Sequence, residues 1–425
     1  MTPRLGMGIV GPGFVGTHHL DAIRRLGFVE IVGLAASTYE SARRHAETLG
    51  VRRPYPSYES LVADPDVHVV HVTTPNYLHA PVIREAIAHA KHVVCDKPLA
   101  VSAAEALELW RAAQTADIVH AVTFNYRGNP LVQQAREMVA AGEIGPVHYV
   151  QGAYLQDWLL KPTDYSWRLD PAQGGPSSAM GDIGSHWCDI VEHVVGSRIE
   201  AVLADLSTVV SRRWRPERPQ ATLSGSTSAT TAGPAPEGGT DRLQAVDVGS
   251  EDLATVLLRF VNGAKGCVSI GQVCAGHKND LWFEVSGRAG SLRWHQERQN
   301  ELWVGRRDGP NAVLPKDPAL LAPEARRYAH LPPGHQEGWS DAFCNVLRDV
   351  YSRIAAVITA AASTSHPSKS PSGSITTAPS AATSAAFATF EDGYRSALVV
   401  DAVLESHRRG GSWTRIGDGT SKLQT

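Results

Sequence analysis

The sequence predicts two fold classes in series. Residues 1–126 read as an α/β domain on a parallel sheet, and residues 127–425 as an α+β domain with an open, mostly antiparallel sheet. Three observations predict this. Short apolar runs alternate with helix-spaced segments in the first third of the chain. A glycine-rich turn joins the first such run to the first helical segment. After Arg127 that alternation gives way to segments with every second residue apolar, as in strands with one solvated face.

The elements follow in order. Leu5–Val10, Ile31–Ala35, Val67–Thr73, Lys91–Cys95 and Ile118–Phe124 read as buried strands. Thr17–Leu26, Ala80–Ala90 and Ala103–Gln114 have helical spacing between them. A further amphipathic helix spans Pro130–Ala141 and stops at Gly142–Pro146. Val147–Tyr154, Ile199–Val209, Leu253–Phe260, Lys265–Val273, Asp280–Ser286 and Ser291–Gln296 then read as strands of the second sheet. Arg215–Asp241 is rich in Pro, Gly, Ser and Thr, and Ala361–Ala386 in Ala, Ser, Thr and Pro. Their few large apolar side chains would not offset ordering entropy, so both are expected to be flexible insertions, the first a candidate substrate lid.

The bulk numbers exclude several classes. A chain of 425 residues exceeds one ordinary core. Hydrophobic residues at 43%, charged residues at 20% and a net charge of -3 fit a soluble protein with no nucleic-acid or membrane partner. The N-terminus runs straight into a strand without the apolar core of a signal peptide. The five cysteines form no CxxC pair. A reduced, cytoplasmic setting is expected.

Gly11-Pro12-Gly13-Phe14-Val15-Gly16 carries the chemistry of the first domain. A GxGxxG pattern alone often marks a plain turn. Here a strand precedes it, a helix follows, and a second strand comes next, which is the context of a Rossmann dinucleotide site. Gly11 permits the tight turn, Gly13 the approach of a pyrophosphate, and Gly16 the packing of helix on strand. The acidic residue expected about 20 residues further on, at the ribose, is absent. Ala36, Ser37 and Thr38 stand there, with no carboxylate before Glu40. Ser37 with Arg43 and Arg44 would admit NADP; neutral contacts would admit NAD. Both cofactors stay open.

Two further motifs supply candidate catalytic groups. Asp96-Lys97-Pro98 ends a strand, where open parallel sheets bind ligands. Lys97 could hydrogen-bond a substrate oxygen, or be an ordinary lysine at a strand end. In Gly181-Asp182-Ile-Gly-Ser-His186-Trp-Cys-Asp189, a helix starting near Asp182 would put Asp182 and His186 on one face. Histidine is the natural acid or base near neutral pH. The plainer alternative is a capping aspartate and a buried histidine. A metal site of His186, Asp189 and His193 lacks any established ligand spacing, and no metal is expected.

These residues together resemble the Gfo/Idh/MocA family of glucose-fructose oxidoreductases and inositol dehydrogenases. The resemblance rests on GPGFVG at 11–16, TTPNYLHAP at 73–81, DKPLA at 96–100, FNYR at 124–127 and GDIGSHWCD at 181–189. The family's usual Glu-Lys-Pro triplet is Asp-Lys-Pro here, one methylene shorter. The resemblance implies that Lys97, Asp182 and His186 form the catalytic group. It implies that Thr74, Asn76, His79, Asp96 and Asn125 approach the cofactor beside the glycine loop and Ser37. Tyr154-Leu-Gln-Asp-Trp158 and Trp167-Arg168 are similar to a sugar-dehydrogenase subgroup. There Tyr126 and Gln156 would face the sugar, and Trp167 and Arg168 the nicotinamide. The implied activity is hydride transfer between NAD(P) and a secondary hydroxyl of a sugar, anhydrosugar, glycoside or cyclitol. A non-catalytic nucleotide sensor, or a sugar–sugar oxidoreductase that retains its cofactor, are the alternatives. An open second sheet also needs covering, which implies a homodimer or homotetramer.

Overall fold

The computed structural model describes residues 5–216, 243–364 and 387–417. The first sheet is built from β1 (Leu5–Val10), β2 (Val29–Ala35), β3 (Arg53–Tyr55), β4 (Val69–Val72), β5 (His92–Cys95) and β6 (His120–Val122). Between them run α1 (Phe14–Leu26), α2 (Tyr39–Leu49), α3 (Tyr58–Val62), α4 (His79–Ala88) and α5 (Ala103–Thr115). All six strands are parallel, in the order β3-β2-β1-β4-β5-β6. Leu5, Met7 and Ile9 are almost wholly buried, as a sheet covered on both faces requires. The order reverses between β1 and β4, which leaves a crevice at their carboxyl ends. Sequence periodicity does not single out α2, because it buries only Ala42 and Ala46.

The rest of the chain adds α6 (Pro130–Ala140), β7 (Val147–Leu155), α7 (Pro171–Gly174), α8 (Ser185–Val195), β8 (Ile199–Ser207), β9 (Arg212–Pro216) and β10 (Leu243–Asp247). It continues with β11 (Leu253–Phe260), β12 (Lys265–Gly271), β13 (Asp280–Gly287), β14 (Ser291–His295), β15 (Glu301–Gly305) and β16 (Ala312–Pro315). It ends with α9 (Pro323–Arg326), α10 (Trp339–Thr364), α11 (Phe390–Arg408) and β17 (Thr414–Arg415). Nine strands form one open sheet in the order β16-β15-β14-β13-β7-β12-β11-β8-β17. Only β12 and β7 pair in parallel. The inner face packs Val150, Val268, Phe283 and Trp294 against Trp187, Ile190 and Val191 of α8. On the other face Thr255, Leu257 and Arg259 of β11 are exposed.

Most of the two expected insertions, 217–241 and 365–386, lies outside the described residues. Their margins are ordered: Arg215 belongs to β9, which pairs with β10, and α10 continues to Thr364. The long helices α10 and α11 also return to the first sheet. Phe343, Leu347, Val350 and Tyr351 of α10 pack with Leu5, Met7 and Ile9. Phe390 and Tyr394 of α11 pack with Val122 and Phe124. The segment after residue 127 is therefore not confined to the second sheet.

One buried ion network ties these parts together. Arg127 donates two hydrogen bonds to Asp189 of α8, at 2.9 and 2.6 Å, and one to Asp392 of α11 at 3.1 Å. Burial pushes the Asp189 carboxyl up to about 6, although the Arg127 charge opposes it. Removing the cation would leave buried Asp189 without its cationic partner and leave Asp392 only the longer pair to Arg198 at 3.6 Å. Arg127→Met is expected to cost about 3–5 kcal/mol, read as a lower denaturation midpoint in urea. A loss under about 1 kcal/mol would mean that the network contributes no more than a surface pair.

Candidate active site

The crevice above β1 and β4 is shaped by glycines. Gly11 has φ of 91°, and a Cβ there would lie 2.7 Å from the Thr73 and Thr74 backbone. A Cβ on Gly16 would lie 2.6 Å from the Gly11 carbonyl oxygen. At Gly13 a Cβ would meet nothing within 4 Å. Gly13 also caps α1 without any side-chain hydrogen bond, so the first N–H groups of the helix face the open space. Phe14 beside it is 44% exposed, and Val15 is half-buried. Two buried polar atoms at the crevice, Thr74 Oγ1 and Asn125 Nδ2, have no partner among the described residues. Open space, uncapped helix end and unpaired polar atoms fit a bound dinucleotide.

At the ribose end Ser37 is exposed just beyond β2. Thr38 is committed to capping α2, accepting from Ser41 N at 3.1 Å. Arg43 pairs with Glu40 at 3.8 Å. That carboxylate competes for the cation that a 2′-phosphate would need.

Other sequence-predicted residues shape the crevice by holding its loops. Asn76 Nδ2 donates to the Gly174 carbonyl at 2.9 Å. His79 is fully buried, with its ring nitrogens 2.7 Å from Pro98 O and 2.9 Å from Thr74 O. It acts on the cleft through the turns it joins, with no free polar atom. Asp96 accepts from Thr123 Oγ1 at 2.9 Å. The Lys97–Pro98 peptide bond is cis.

Lys97 reaches across the crevice to the second domain. Its Nζ donates to Asp182 Oδ1 at 2.6 Å and to Asp182 O at 2.8 Å. The two side chains are only 12% and 15% exposed. Asp182 Oδ1 lies 3.4 Å from Arg168 Nε, and Oδ2 accepts from Gln272 Nε2 at 2.9 Å. Burial acts to raise the Asp182 carboxyl, but the Lys97 and Arg168 charges hold it well below the usual carboxylate range. The Arg168 guanidinium also stacks over Trp167, 4.6 Å from the ring centroid.

The backbone around Asp182 differs from the sequence expectation. A helical run does start near it, at Ala179, but its first turn over Met180–Gly184 is π-helical before it continues as α8. Such turns are rare and concentrate at functional sites. Asp182 caps nothing. The cap comes from buried Glu251, which accepts from Ser177 Oγ, Ser178 N and Met180 N at 2.6, 3.1 and 2.9 Å. The amide groups satisfied by a carboxylate from the segment before β11 leave Asp182 free to form ion pairs.

His186 sits edge-on to Phe124 and Tyr126, with ring centroids 5.6 and 5.2 Å away. Its Nδ1 is buried and has no partner among the described residues. Burial, reinforced by the Lys97 charge, holds the imidazole well below its ordinary titration range, so it is neutral near pH 7. The metal alternative fares differently: Asp189 is committed to Arg127, and His193 Nε2 faces Gln133 Nε2 at 3.2 Å.

A polar wall completes the cleft. Tyr126 and Tyr154 hydroxyls lie 2.8 Å apart, and both meet Asn279, which also binds Gln156. Sequence reading missed Gln272, Asn279 and Glu251. Each lies just outside a strand end, and only sheet register brings it to the cleft. No local motif announces them.

The first 120 or so residues match the oxidoreductase family with an NAD-binding Rossmann fold, over residues 5–124. Residues 132–293 match the GFO/IDH/MocA C-terminal domain. The chain belongs to the Gfo/Idh/MocA oxidoreductase family. It is 35% identical to levoglucosan dehydrogenase of Pseudarthrobacter phenanthrenivorans, over 71% of this chain and 76% of that protein. It is 25% identical to myo-inositol 2-dehydrogenase of Thermotoga maritima, over 67% of this chain and 74% of that one. The solved structure of levoglucosan dehydrogenase with NADH and levoglucosan superposes with a TM-score of 0.80 at 29% identity, covering 98% of this chain and 100% of that chain. The N-terminal domain is thus an NAD(P)-binding domain, as its glycine loop predicts.

Because Gly13 has room and extended backbone angles, Gly13→Val should fold, with a loss of no more than about 1 kcal/mol from the poorer N-cap residue. It should weaken NADH binding at least about 10-fold by filling the approach to the pyrophosphate. Fluorescence titration with NADH checks this. Unaltered affinity would show that the cofactor does not come close to Gly13.

Proposed function

We propose that this chain is an NAD(P)-dependent dehydrogenase that oxidises a secondary hydroxyl of a sugar, anhydrosugar, glycoside or cyclitol, or reduces the corresponding ketone. The observation that carries the reading is the buried group of Lys97, Asp182 and neutral His186 at the mouth of the dinucleotide crevice. The names of its relatives, levoglucosan dehydrogenase and myo-inositol 2-dehydrogenase, support the substrate class.

Each residue has a distinct task in this reading. The glycine loop with Phe14, Val15, Thr74 and Asn125 would hold the cofactor, Ser37 its ribose, and Trp167 and Arg168 the nicotinamide side. When bound, the nicotinamide takes the carbon-bound hydrogen as hydride with its electron pair. His186 removes the hydroxyl proton as the carbon–oxygen double bond forms. Lys97 stabilises the developing alkoxide by a charge-assisted hydrogen bond. Asp182 holds the Lys97 ammonium in place through two hydrogen bonds. Reduction runs through the same groups in reverse, with His186 returning the proton.

A screen for NAD(P)H formation with levoglucosan, monosaccharides, glycosides and inositols tests the activity. Lys97→Met and His186→Ala should each lower kcat by roughly 10²–10⁴-fold. Near-full turnover in both would refute the assignment. The pH profile offers a second check. The His186 imidazole is held below its ordinary 6.5, so it is the required neutral base at and above that pH. The kcat/KM for oxidation should therefore hold as pH falls to about 6.5 and drop only below it. An acid limb turning above that value would count against His186 as base.

The outer face of the nine-stranded sheet supports a homo-oligomer as the working assembly. Leu257 is 43% exposed there, in a transverse row with Leu203 and Cys267. Two such faces packing together would bury it. Light scattering on Leu257→Asp should show a smaller assembly than the unaltered chain.

A further inference from the structure

Trp158, Gln156, Asn279, Tyr154 and Tyr126 share one connected set of hydrogen bonds, and the indole fixes its directions. The Trp158 indole N–H can only donate. It lies 2.8 Å from Gln156 Oε1, so that oxygen is the acceptor and the Gln156 amide nitrogen points the other way. Gln156 Nε2 lies 3.1 Å from Asn279 Oδ1, which orients Asn279 in turn. Tyr154 O–H donates to the same Oδ1 at 2.6 Å. Asn279 Nδ2 faces the Tyr126 hydroxyl oxygen at 3.2 Å and donates to it. The Tyr154 hydrogen is spent on Asn279, so the 2.8 Å contact between the phenols is a bond from Tyr126 to Tyr154.

Neither tyrosine retains a hydrogen for a ligand. Both lone-pair positions of Asn279 Oδ1 are filled, by Tyr154 and by Gln156. The donors that stay uncommitted are the second N–H of each amide, and Gln156 Oε1 keeps one lone pair beside them. Gln156 and Asn279 are partly exposed, whereas Tyr126 and Tyr154 are buried. Sheet register explains the placement. Asp280 pairs with Leu155, so Asn279 and Gln156 are the next residues out from one strand end.

We propose that Asn279 is the specificity-determining residue of this wall. It locks the Tyr126–Tyr154 pair, and with Gln156 it presents N–H donors to a hydrogen-bond acceptor on the substrate, an ether or hydroxyl oxygen remote from the reacting carbon. The assignment rests on the sugar dehydrogenase reading and adds to it the group that selects the substrate. Tyr126 is then a positioning residue for this wall and shapes the cleft with its ring.

The test is Asn279→Asp, which keeps size and shape. Its carboxylate still accepts from Tyr154 and Gln156, but it offers no N–H to Tyr126 or to a ligand. With levoglucosan as probe, the variant should raise KM about 10-fold while kcat changes less than about 3-fold and KM for the nicotinamide cofactor stays put. Monodeoxy derivatives of levoglucosan identify the oxygen. The derivative lacking it should bind weakly to the unaltered enzyme and lose little more in the variant, whereas the others should lose the full amount. Binding of each sugar to the NADH complex, followed by tryptophan fluorescence, gives the same comparison without turnover. Failure of the dehydrogenase reading is therefore seen separately, as binding without NAD(P)H formation. An unchanged KM and an unchanged binding constant in Asn279→Asp would overturn the proposal. So would a fall in kcat alone, or an equal loss for every derivative. Asn279→Ala, which also releases the tyrosines, should raise KM further; recovery of the original KM there would equally overturn it.

Discussion

The Lys97–Asp182 ion pair is the constraint around which this molecule is arranged. Lys97 ends a strand of the parallel sheet, and Asp182 sits on a π turn of the second domain. Two charges so little exposed are costly to desolvate, and mutual attraction compensates only with good geometry and further hydrogen bonds. The surroundings supply them. Gln272 donates to one Asp182 oxygen, and Arg168 lies beside the other. Glu251 takes up the amide groups at the start of the turn, so the backbone carrying Asp182 is held without using Asp182 itself. Because the partners come from both domains, the cleft has this shape only when the two domains are docked.

The same pair sets the electrostatics of the cleft. Lys97 is cationic beside His186, and burial already disfavours imidazolium. A neutral imidazole next to an ammonium that faces a reacting oxygen is the protonation pattern that alcohol oxidation asks of its base and its electrostatic stabiliser. Arg127 does an analogous structural task one layer further in, where it pairs with Asp189 one turn beyond His186 and with Asp392 on α11. The helix bearing the imidazole is thereby tied to the segment that leaves the first domain.

Much of the first domain was legible in the residues. The apolar runs of β1, β2, β4, β5 and β6 stand out because a sheet covered on both faces needs them to be continuous. β3 and α2 did not stand out, being a partly exposed edge strand and a helix that buries only two alanines. In the second half, alternation marked β7, β8 and β11 to β14. It could not reveal β9 and β10, whose Arg213 is wholly buried because its guanidinium donates to the carbonyls of Leu159, Lys161 and Asp164. A buried arginine looks like a surface residue until its acceptors are known.

Taken by itself, the sequence determined the dinucleotide domain, the family, and Lys97, Asp182 and His186 as the candidate reacting groups. Those depend on short contiguous motifs, where a glycine's φ or a strand-end position is set by immediate neighbours. The tertiary structure alone decided how these groups meet: that Asp182 faces Lys97 across the domains, that Glu251 replaces it as the cap, and that Asn279 orients the two tyrosines. Each of those contacts joins residues more than 70 positions apart, as Glu251 and Met180 are. Sheet register and domain docking bring them together, and no local pattern encodes either.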